Sequence, residues 1–168
     1  MTAPNDPKRW ADYGGALRAI LDEYARAIRD YEQVLRALPA ERYDARTTLS
    51  DEEFATVRDI LKHTIGAAHN YVNYLADALD GTDRGYQKRE FPQANASEAI
   101  PSLWEAFGRM VDVLERIKDW TDEKQEQVKF VTRWKQTYDI EQMLEHAIVH
   151  ILRHRRQLER WRDAPLAP

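Results

Sequence analysis

The segment EHAIVHILRHRRQ, residues 145–157, places three histidines at intervals of four residues: His146, His150 and His154. Side chains four residues apart on a helix are neighbours, so two consecutive imidazoles of this segment could bind one metal ion. Histidines at this spacing also occur on solvated helix faces, or in cores where they have hydrogen-bond partners. Spacing alone therefore leaves a metal site and a set of structural histidines as open alternatives.

The direction in which each histidine points can be predicted from the apolar residues around it. At about 100° per residue, the apolar side chains of this segment fall within roughly 60° of Ile140. They are Met143, Leu144, Ala147, Ile151, Leu158 and Trp161. His154 lies about 40° and His150 about 80° from Ile140, whereas His146 lies about 120° away. We therefore expect His150 and His154 to point toward the core and His146 to lie at its edge.

A third imidazole could come from an earlier helical segment, which contains His63 and His69. The same geometry places His63 at the border of an apolar arc, and His69 beside Arg58 and Lys62 on the more polar side. We therefore predict that His63 is the third ligand and that His69 and His146 are dispensable. Three imidazoles from two helices would hold a divalent ion and leave coordination positions open, as in catalytic metal sites.

The composition restricts the kinds of site that the chain can form. It has no cysteine among its 168 residues, so a metal must be bound by histidine or carboxylate side chains. A di-iron carboxylate site needs Glu-x-x-His on two helices, and neither Glu141 nor Glu145 has a histidine three residues later. Any reaction that uses a thiol would therefore depend on a thiol from outside the chain.

The first two predicted helices are amphipathic. Apolar residues recur every three or four positions from Leu17 to Leu38, which predicts a helix that Pro39 stops. Ser50, followed three residues later by Glu53, has the pattern of a capping box. We therefore expect the second helix to run from Ser50 to the Asp80-Gly81 pair.

Two further helices complete the predicted fold. Ser97 is expected to cap the third helix, whose apolar stripe extends to Ile117, and Pro101 is tolerated in its first turn. Asp139 and Gln142 form the capping box of a fourth helix that ends near Trp161. The predicted fold is therefore all-α: a four-helix bundle and a single domain over residues 1–168, with about 1–9 and 163–168 as flexible tails.

Two predicted connections are longer than a tight bundle requires, at residues 81–96 between helices two and three and 121–138 between helices three and four. Both contain aromatic residues: Tyr86, Phe91, Phe130, Trp134 and Tyr138. These residues would either wall a pocket over the bundle or simply cover the core. The sequence leaves both possibilities open.

The charge and hydropathy of the chain limit the kinds of partner that it can bind. A formal net charge of -4 argues against a general nucleic-acid-binding protein. No run of apolar residues approaches the roughly eighteen needed to span a membrane, and MTAPNDPKRW lacks the apolar region of a secretory signal. We therefore expect a cytoplasmic protein that binds neither nucleic acid nor membrane.

The histidine pattern resembles that of the DinB-like, or YfiT-like, family of metal-binding four-helix bundles. That family has a histidine in its second helix, here within DILKHTIGAAHNYV, and a later His-x-x-x-His followed by Arg-Gly-Gln, here HILRHRRQ. The resemblance implies that His63, His150 and His154 are the metal ligands. Arg156 replaces the glycine of the motif, whereas Gln157 is kept and is suited to a hydrogen bond near the metal.

The resemblance also implies a function. Family members bind zinc, nickel or a similar ion, often as homodimers, and characterised ones transfer low-molecular-weight thiols such as bacillithiol or mycothiol to small electrophilic substrates, in detoxification or stress responses. The surplus of aromatic residues, five tryptophans and eight tyrosines, gives some support for a homodimer. Two alternatives stay open: metal-dependent hydrolysis, and a non-enzymatic metal-binding stress protein. The sequence identifies no general base.

Overall fold

The chain is predominantly helical in a computed structural model that describes residues 3–167. This part of the chain contains five α-helices, α1 (Gly15–Arg36), α2 (Val57–Asp80), α3 (Ile100–Leu114), α4 (Asp122–Glu126) and α5 (Ile140–Asp163). A two-stranded antiparallel ribbon, β1 (Phe130–Val131) and β2 (Thr137–Tyr138), lies between α4 and α5. None of the described helices has both the length and the apolar character needed to cross a membrane. The all-α prediction agrees with this architecture, whereas α4 and the ribbon were not predicted.

The four long helices surround a common core. Helix α5 packs against α1 and α2, and α3 packs against the opposite sides of the same two helices. Each long helix turns an apolar stripe inward, so that large side chains such as Tyr24, Leu103 and Phe107 are almost completely buried. This arrangement brings the inner faces of α2 and α5 together, and these faces carry the histidines.

The cap of helix α2 lies six residues later than predicted, at Thr56 instead of Ser50. Its capping box is formed by Thr56 and Asp59: the hydroxyl of Thr56 accepts from the backbone N–H of Asp59, and the Asp59 carboxylate accepts from the backbone N–H of Thr56. The prediction that Ser50 caps this helix is wrong, because the Ser50 hydroxyl instead donates to the carbonyl of Ala55 at 2.8 Å within an irregular turn. Phe54 therefore lies in a loop, where its buried ring packs against two of the histidines.

The predicted cap of the third helix is also wrong. Residues 97–99 form a 3-10 turn, and the side chain of Asn95, rather than Ser97, accepts from the backbone N–H of Glu98 at 3.1 Å. The cap of α5 is as predicted: Asp139 accepts from the backbone N–H of Gln142 at 2.8 Å, and the Gln142 side chain accepts from the N–H of Asp139. The start of α5, and thus the orientation of its histidines, is fixed by this reciprocal pair.

The described parts of both predicted tails contact the rest of the domain. The Arg9 guanidinium donates to the carbonyl of Gly108 at 3.1 Å, and Trp10 is buried in the core. At the other end, the backbone N–H of Ala167 donates to the carbonyl of Arg46 at 3.0 Å. Arg9 and Ala167 thus make specific contacts with the rest of the domain, and the flexibility predicted for residues 1–9 and 163–168 stays a prediction.

Candidate metal centre

The three histidines predicted as ligands converge between α2 and α5. One ring nitrogen from each of His63, His150 and His154 lies within 4.8 Å of the other two. The closest pair is Nε2 of His63 and Nε2 of His150, at 3.0 Å. Ligand nitrogens about 2.0–2.1 Å from a tetrahedral zinc ion are separated by about 3.3 Å, so this spacing suits a shared ion.

Gln157 fixes the orientation of one of these rings. Nδ1 of His154 lies 2.8 Å from Oε1 of Gln157, one turn further along α5. An amide oxygen only accepts hydrogen bonds, so Nδ1 of His154 carries the proton and Nε2 keeps its lone pair. The structure thus places Gln157 where the motif suggested, with its hydrogen bond directing the Nε2 lone pair of a buried imidazole toward the other two histidines.

Not every ring nitrogen of this cluster has a hydrogen-bond partner among residues 3–167. Two imidazole Nε2 atoms 3.0 Å apart cannot both present lone pairs to each other, so a proton or a cation must lie between them. Nδ1 of His150 is buried and has no hydrogen-bond partner within residues 3–167. A divalent ion would use the lone pairs of all three Nε2 atoms at once, and imidazole nitrogen is a preferred ligand of zinc and nickel. The donor set therefore fits such an ion.

Burial keeps these imidazoles in the neutral form that binds metals. It lowers the pKa of His150 to about 2 and that of His154 to about 4, and it also lowers the pKa of His63. The mutual repulsion of the neighbouring rings and the charge of Arg153 lower these pKa values further. At neutral pH the lone pairs are thus available without the loss of a proton.

The remaining histidine of α5 lies beside the cluster, at the edge predicted for it. His146 is half-buried, and its ring stacks on Trp134 with centroids 5.2 Å apart. Its Nδ1 is 3.2 Å from the hydroxyl of Tyr138. The His146 ring centroid is 6.2 Å from that of His150, and His146 is not part of the converging group of three.

His69 was predicted to lie on the more polar side of its helix, and this prediction is wrong. His69 is 1% exposed, because α3 covers the face of α2 that carries it. The guanidinium of Arg109, on α3, donates to Nδ1 of His69 at 3.1 Å and to the side chain of Asn73. Polar neighbours in the sequence suggested an exposed position for His69, but it is a core residue. It lies outside the converging group of three.

The histidine cluster opens into a cavity of about 270 Å³. Beyond the histidines, its lining consists of aromatic and polar side chains from α2, α5 and three loops: Glu53, Phe54, Ala67, Asn70, Tyr71, Tyr74, Tyr86, Arg133, Trp134 and Arg153. Tyr86 and Trp134 belong to the two long connections, so both connections wall this cavity. Phe91 lies elsewhere, beside Ile65.

Asn70 holds the first connection in place over the cavity. Its side-chain amide donates to the carbonyl of Gln87 at 3.0 Å, and its oxygen accepts from the N–H of Gln87 at 2.8 Å. This double hydrogen bond imitates a strand pairing and anchors the residue next to Tyr86. An asparagine within an apolar helix face was the only sequence signal for this role.

Comparison with known proteins agrees with this geometry. The sequence model of the DinB family matches residues 13–161. The chain belongs to the DinB family. The match to DinB includes α1 to α4 and all three converging histidines, and it confirms the family that the histidine motif suggested. No curated protein is significantly similar in sequence to this DinB chain. At the one motif departure, Arg156 takes the glycine position, and its side chain is exposed.

We expect the metal-free protein to lose stability as the pH falls from 7 to 5. Burial, with the charges of Arg89 and Arg109, lowers the pKa of His69 to about 4, and His150 and His154 are shifted in the same direction. Below a pH of about 6.5 the unfolded chain takes up protons that the folded chain does not, at a cost of up to about 1.4 kcal/mol per pH unit for each histidine. Urea unfolding in the presence of a chelator measures this slope.

A His69→Gln variant provides the control for this pH dependence. It lacks one titrating group, so its stability should fall less steeply with decreasing pH than that of the wild type. Equal slopes in the two proteins would show that His69 takes up its proton equally in the folded and unfolded states.

Proposed function

We propose that this protein is a metal-dependent transferase that joins a low-molecular-weight thiol to a small electrophile, and that its four long helices form the four-helix bundle of its family. The observation that carries the proposal is the convergence of His63, His150 and His154 at one end of a cavity with aromatic walls. The three neutral imidazoles leave the full charge of a bound ion uncompensated, which favours an anionic fourth ligand.

The ion, which we propose to be zinc or nickel, would supply stabilisation of a deprotonated thiol at neutral pH, since sulfur suits both metals well. The chain itself has no cysteine, so the sulfur must come from a cosubstrate such as bacillithiol or mycothiol. In the proposed transfer, the thiol would lose its proton to solvent, its sulfur would form a bond to the electrophilic carbon, and the leaving group would depart with the electrons of the bond that breaks.

The protein side chains hold the site in position. Phe54 packs edge-on against the rings of His63 and His154, with centroids 5.3 and 5.7 Å away, and limits their rotation. Tyr74 and Trp134, whose ring centroids are 5.9 Å apart, form an aromatic wall against which a planar substrate can pack.

The direct test is consumption of thiol by the metal-loaded protein. Bacillithiol, mycothiol, coenzyme A and glutathione would each be incubated with a halogenated nitrobenzene, and wild type would be compared with His150→Ala. A Val149→Ala variant, altered at an exposed position of the same helix, is the matched control. We expect one thiol to be consumed rapidly by wild type and by the control only. Equal rates in wild type and His150→Ala, with no thiol raising the melting temperature, would refute the transferase.

One observation favours metal-dependent hydrolysis as a second candidate. Glu53 is the one carboxylate among the cavity-lining residues of the described chain, and its charge partly offsets the lowering of the His63 pKa by burial, so it lies near the histidines. A carboxylate in this position could accept a proton from an attacking water molecule. Ester hydrolysis by the wild type that is lost in Glu53→Gln would support this candidate instead.

A further inference from the structure

Two arginines that have no ion pair in the described part of the chain lie at the histidine cavity. Arg133 is in the turn of the ribbon between β1 and β2, and Arg153 is on α5, one turn after His150. Within residues 3–167, neither guanidinium has a carboxylate oxygen within 4.0 Å. Both are exposed at the cavity and available to a ligand.

Half of the arginines in the chain form ion pairs with acidic side chains. Arg155, two residues from Arg153, contacts Asp30 on α1 at 2.9 Å. Arg58 makes a two-pronged contact with Asp44, at 2.6 and 2.8 Å. Nine of the 18 arginines have no ion pair within residues 3–167, and Arg133 and Arg153 are the two of these nine that line the histidine cavity.

The charge of the cavity lining is positive even without a metal ion. Arg133 and Arg153 face a single lining carboxylate, that of Glu53, and the histidines are neutral at physiological pH. Both guanidinium groups lower the pKa of His63, so both lie within electrostatic range of the histidine cluster. A bound divalent ion would raise the positive potential further, and a partly enclosed cavity concentrates that potential.

Arg133 is built into the aromatic wall. Its guanidinium lies over the ring of Tyr86, 4.4 Å from the centroid, and its backbone N–H donates to the hydroxyl of Tyr74 at 3.0 Å. A planar guanidinium presents parallel N–H groups that match the two oxygens of a carboxylate. An aromatic surface and a carboxylate-binding group thus adjoin each other at the same cavity.

We propose that Arg133 and Arg153 bind the anionic group of the electrophile, and that the electrophile is a small aromatic carboxylate. Naming this ligand as the electrophile rests on the proposed transferase function, whereas binding of the anion can be measured without any thiol. The ring packs against Tyr74 and Trp134, and the carboxylate contacts the guanidinium groups. A cavity of about 270 Å³ limits the ligand to about one substituted ring.

The test compares two probes of nearly equal shape, 4-chloro-3-nitrobenzoate and its neutral amide, by calorimetry on the metal-loaded protein without thiol. We expect wild type to bind the carboxylate about tenfold more tightly than the amide, because hydrogen bonds to charged groups contribute about that much when partly exposed. Arg133→Gln and Arg153→Gln should each reduce this preference, and the double variant should abolish it. The preference should also weaken with added salt.

Arg156→Gln is the matched control, because Arg156 is exposed, has no ion pair within the described residues and does not line the cavity. It should keep the wild-type preference. Equal binding of carboxylate and amide by wild type would overturn the proposal. A preference for the carboxylate that survives in the double variant would also overturn it, because the carboxylate would then bind the metal. An equal loss of preference in Arg156→Gln would overturn it as well, because the effect would then come from the overall positive charge of the surface.

Failure of this proposal is distinguishable from failure of the transferase. A charge preference that depends on Arg133 and Arg153, in a protein that consumes no thiol, would refute only the transferase. Thiol transfer to neutral and anionic electrophiles at equal rates and affinities would refute only the role of the arginines.

Discussion

Purified His154→Ala protein should contain almost no divalent metal, whereas wild type should contain about one ion per chain. Removing His154 leaves two imidazoles, those of His63 and His150, and two ligands are fewer than any stable protein site for zinc normally uses. The substitution also releases Gln157 from its hydrogen bond to Nδ1 of His154. Elemental analysis after dialysis gives the metal content directly.

His146→Ala is the control for this prediction. It removes an imidazole from the same helix and the same cavity, but His146 is outside the converging group, so the variant should keep its metal. Metal at a hundredfold excess over its dissociation constant should stabilise wild type and this variant by about 2.7 kcal/mol, and should leave His154→Ala unchanged. Full occupancy in His154→Ala, or loss of metal in His146→Ala, would contradict the ligand assignment.

Phe107→Ala should be among the most destabilising substitutions in the protein. The Phe107 ring, on α3, is completely buried and contacts Trp10, Tyr24 and Trp104 edge-on, with centroids 5.2, 5.4 and 5.7 Å away. Replacing a buried phenylalanine with alanine removes these contacts and leaves a cavity, at a cost of about 3–5 kcal/mol. Urea unfolding followed by circular dichroism measures the difference in free energy.

The control substitution is Val149→Ala, which shortens an apolar side chain that is 62% exposed. Its effect on the free energy of unfolding should be within about 0.5 kcal/mol. A cost of less than about 1 kcal/mol for Phe107→Ala would mean that the three surrounding rings collapse into the vacated space. That result would contradict tight packing of these rings around Phe107.

The start of α2 shows that a local sequence pattern does not by itself predict where a helix begins. Ser50 with Glu53 and Thr56 with Asp59 both have the residue types of a capping box, six positions apart. Only the second forms one, and the segment before it remains irregular. Phe54 lies in this irregular segment and packs against histidines of α2 and α5, a contact between distant segments that a local pattern does not contain.

The sequence by itself determined the face of α5 that carries the candidate metal ligands. Four-residue spacing puts His150 and His154 on one side of any helix, and the apolar stripe shows that this side faces inward. On α2, the apolar arc favoured His63 over His69, and the family motif agreed with that choice. These conclusions hold because helical periodicity is a property of the backbone and is independent of what the helix packs against.

Only the tertiary structure decided what surrounds those ligands. His69 became a core residue because α3 covers it, and Tyr86 and Trp134 came to the cavity from connections that have no regular periodicity. Whether an arginine is paired also depends on distant segments: Arg155 contacts Asp30 on α1, whereas Arg153 contacts no carboxylate among residues 3–167. Charge pairing and burial are set by distances between segments far apart in the chain, and these distances exist only after the helices have packed.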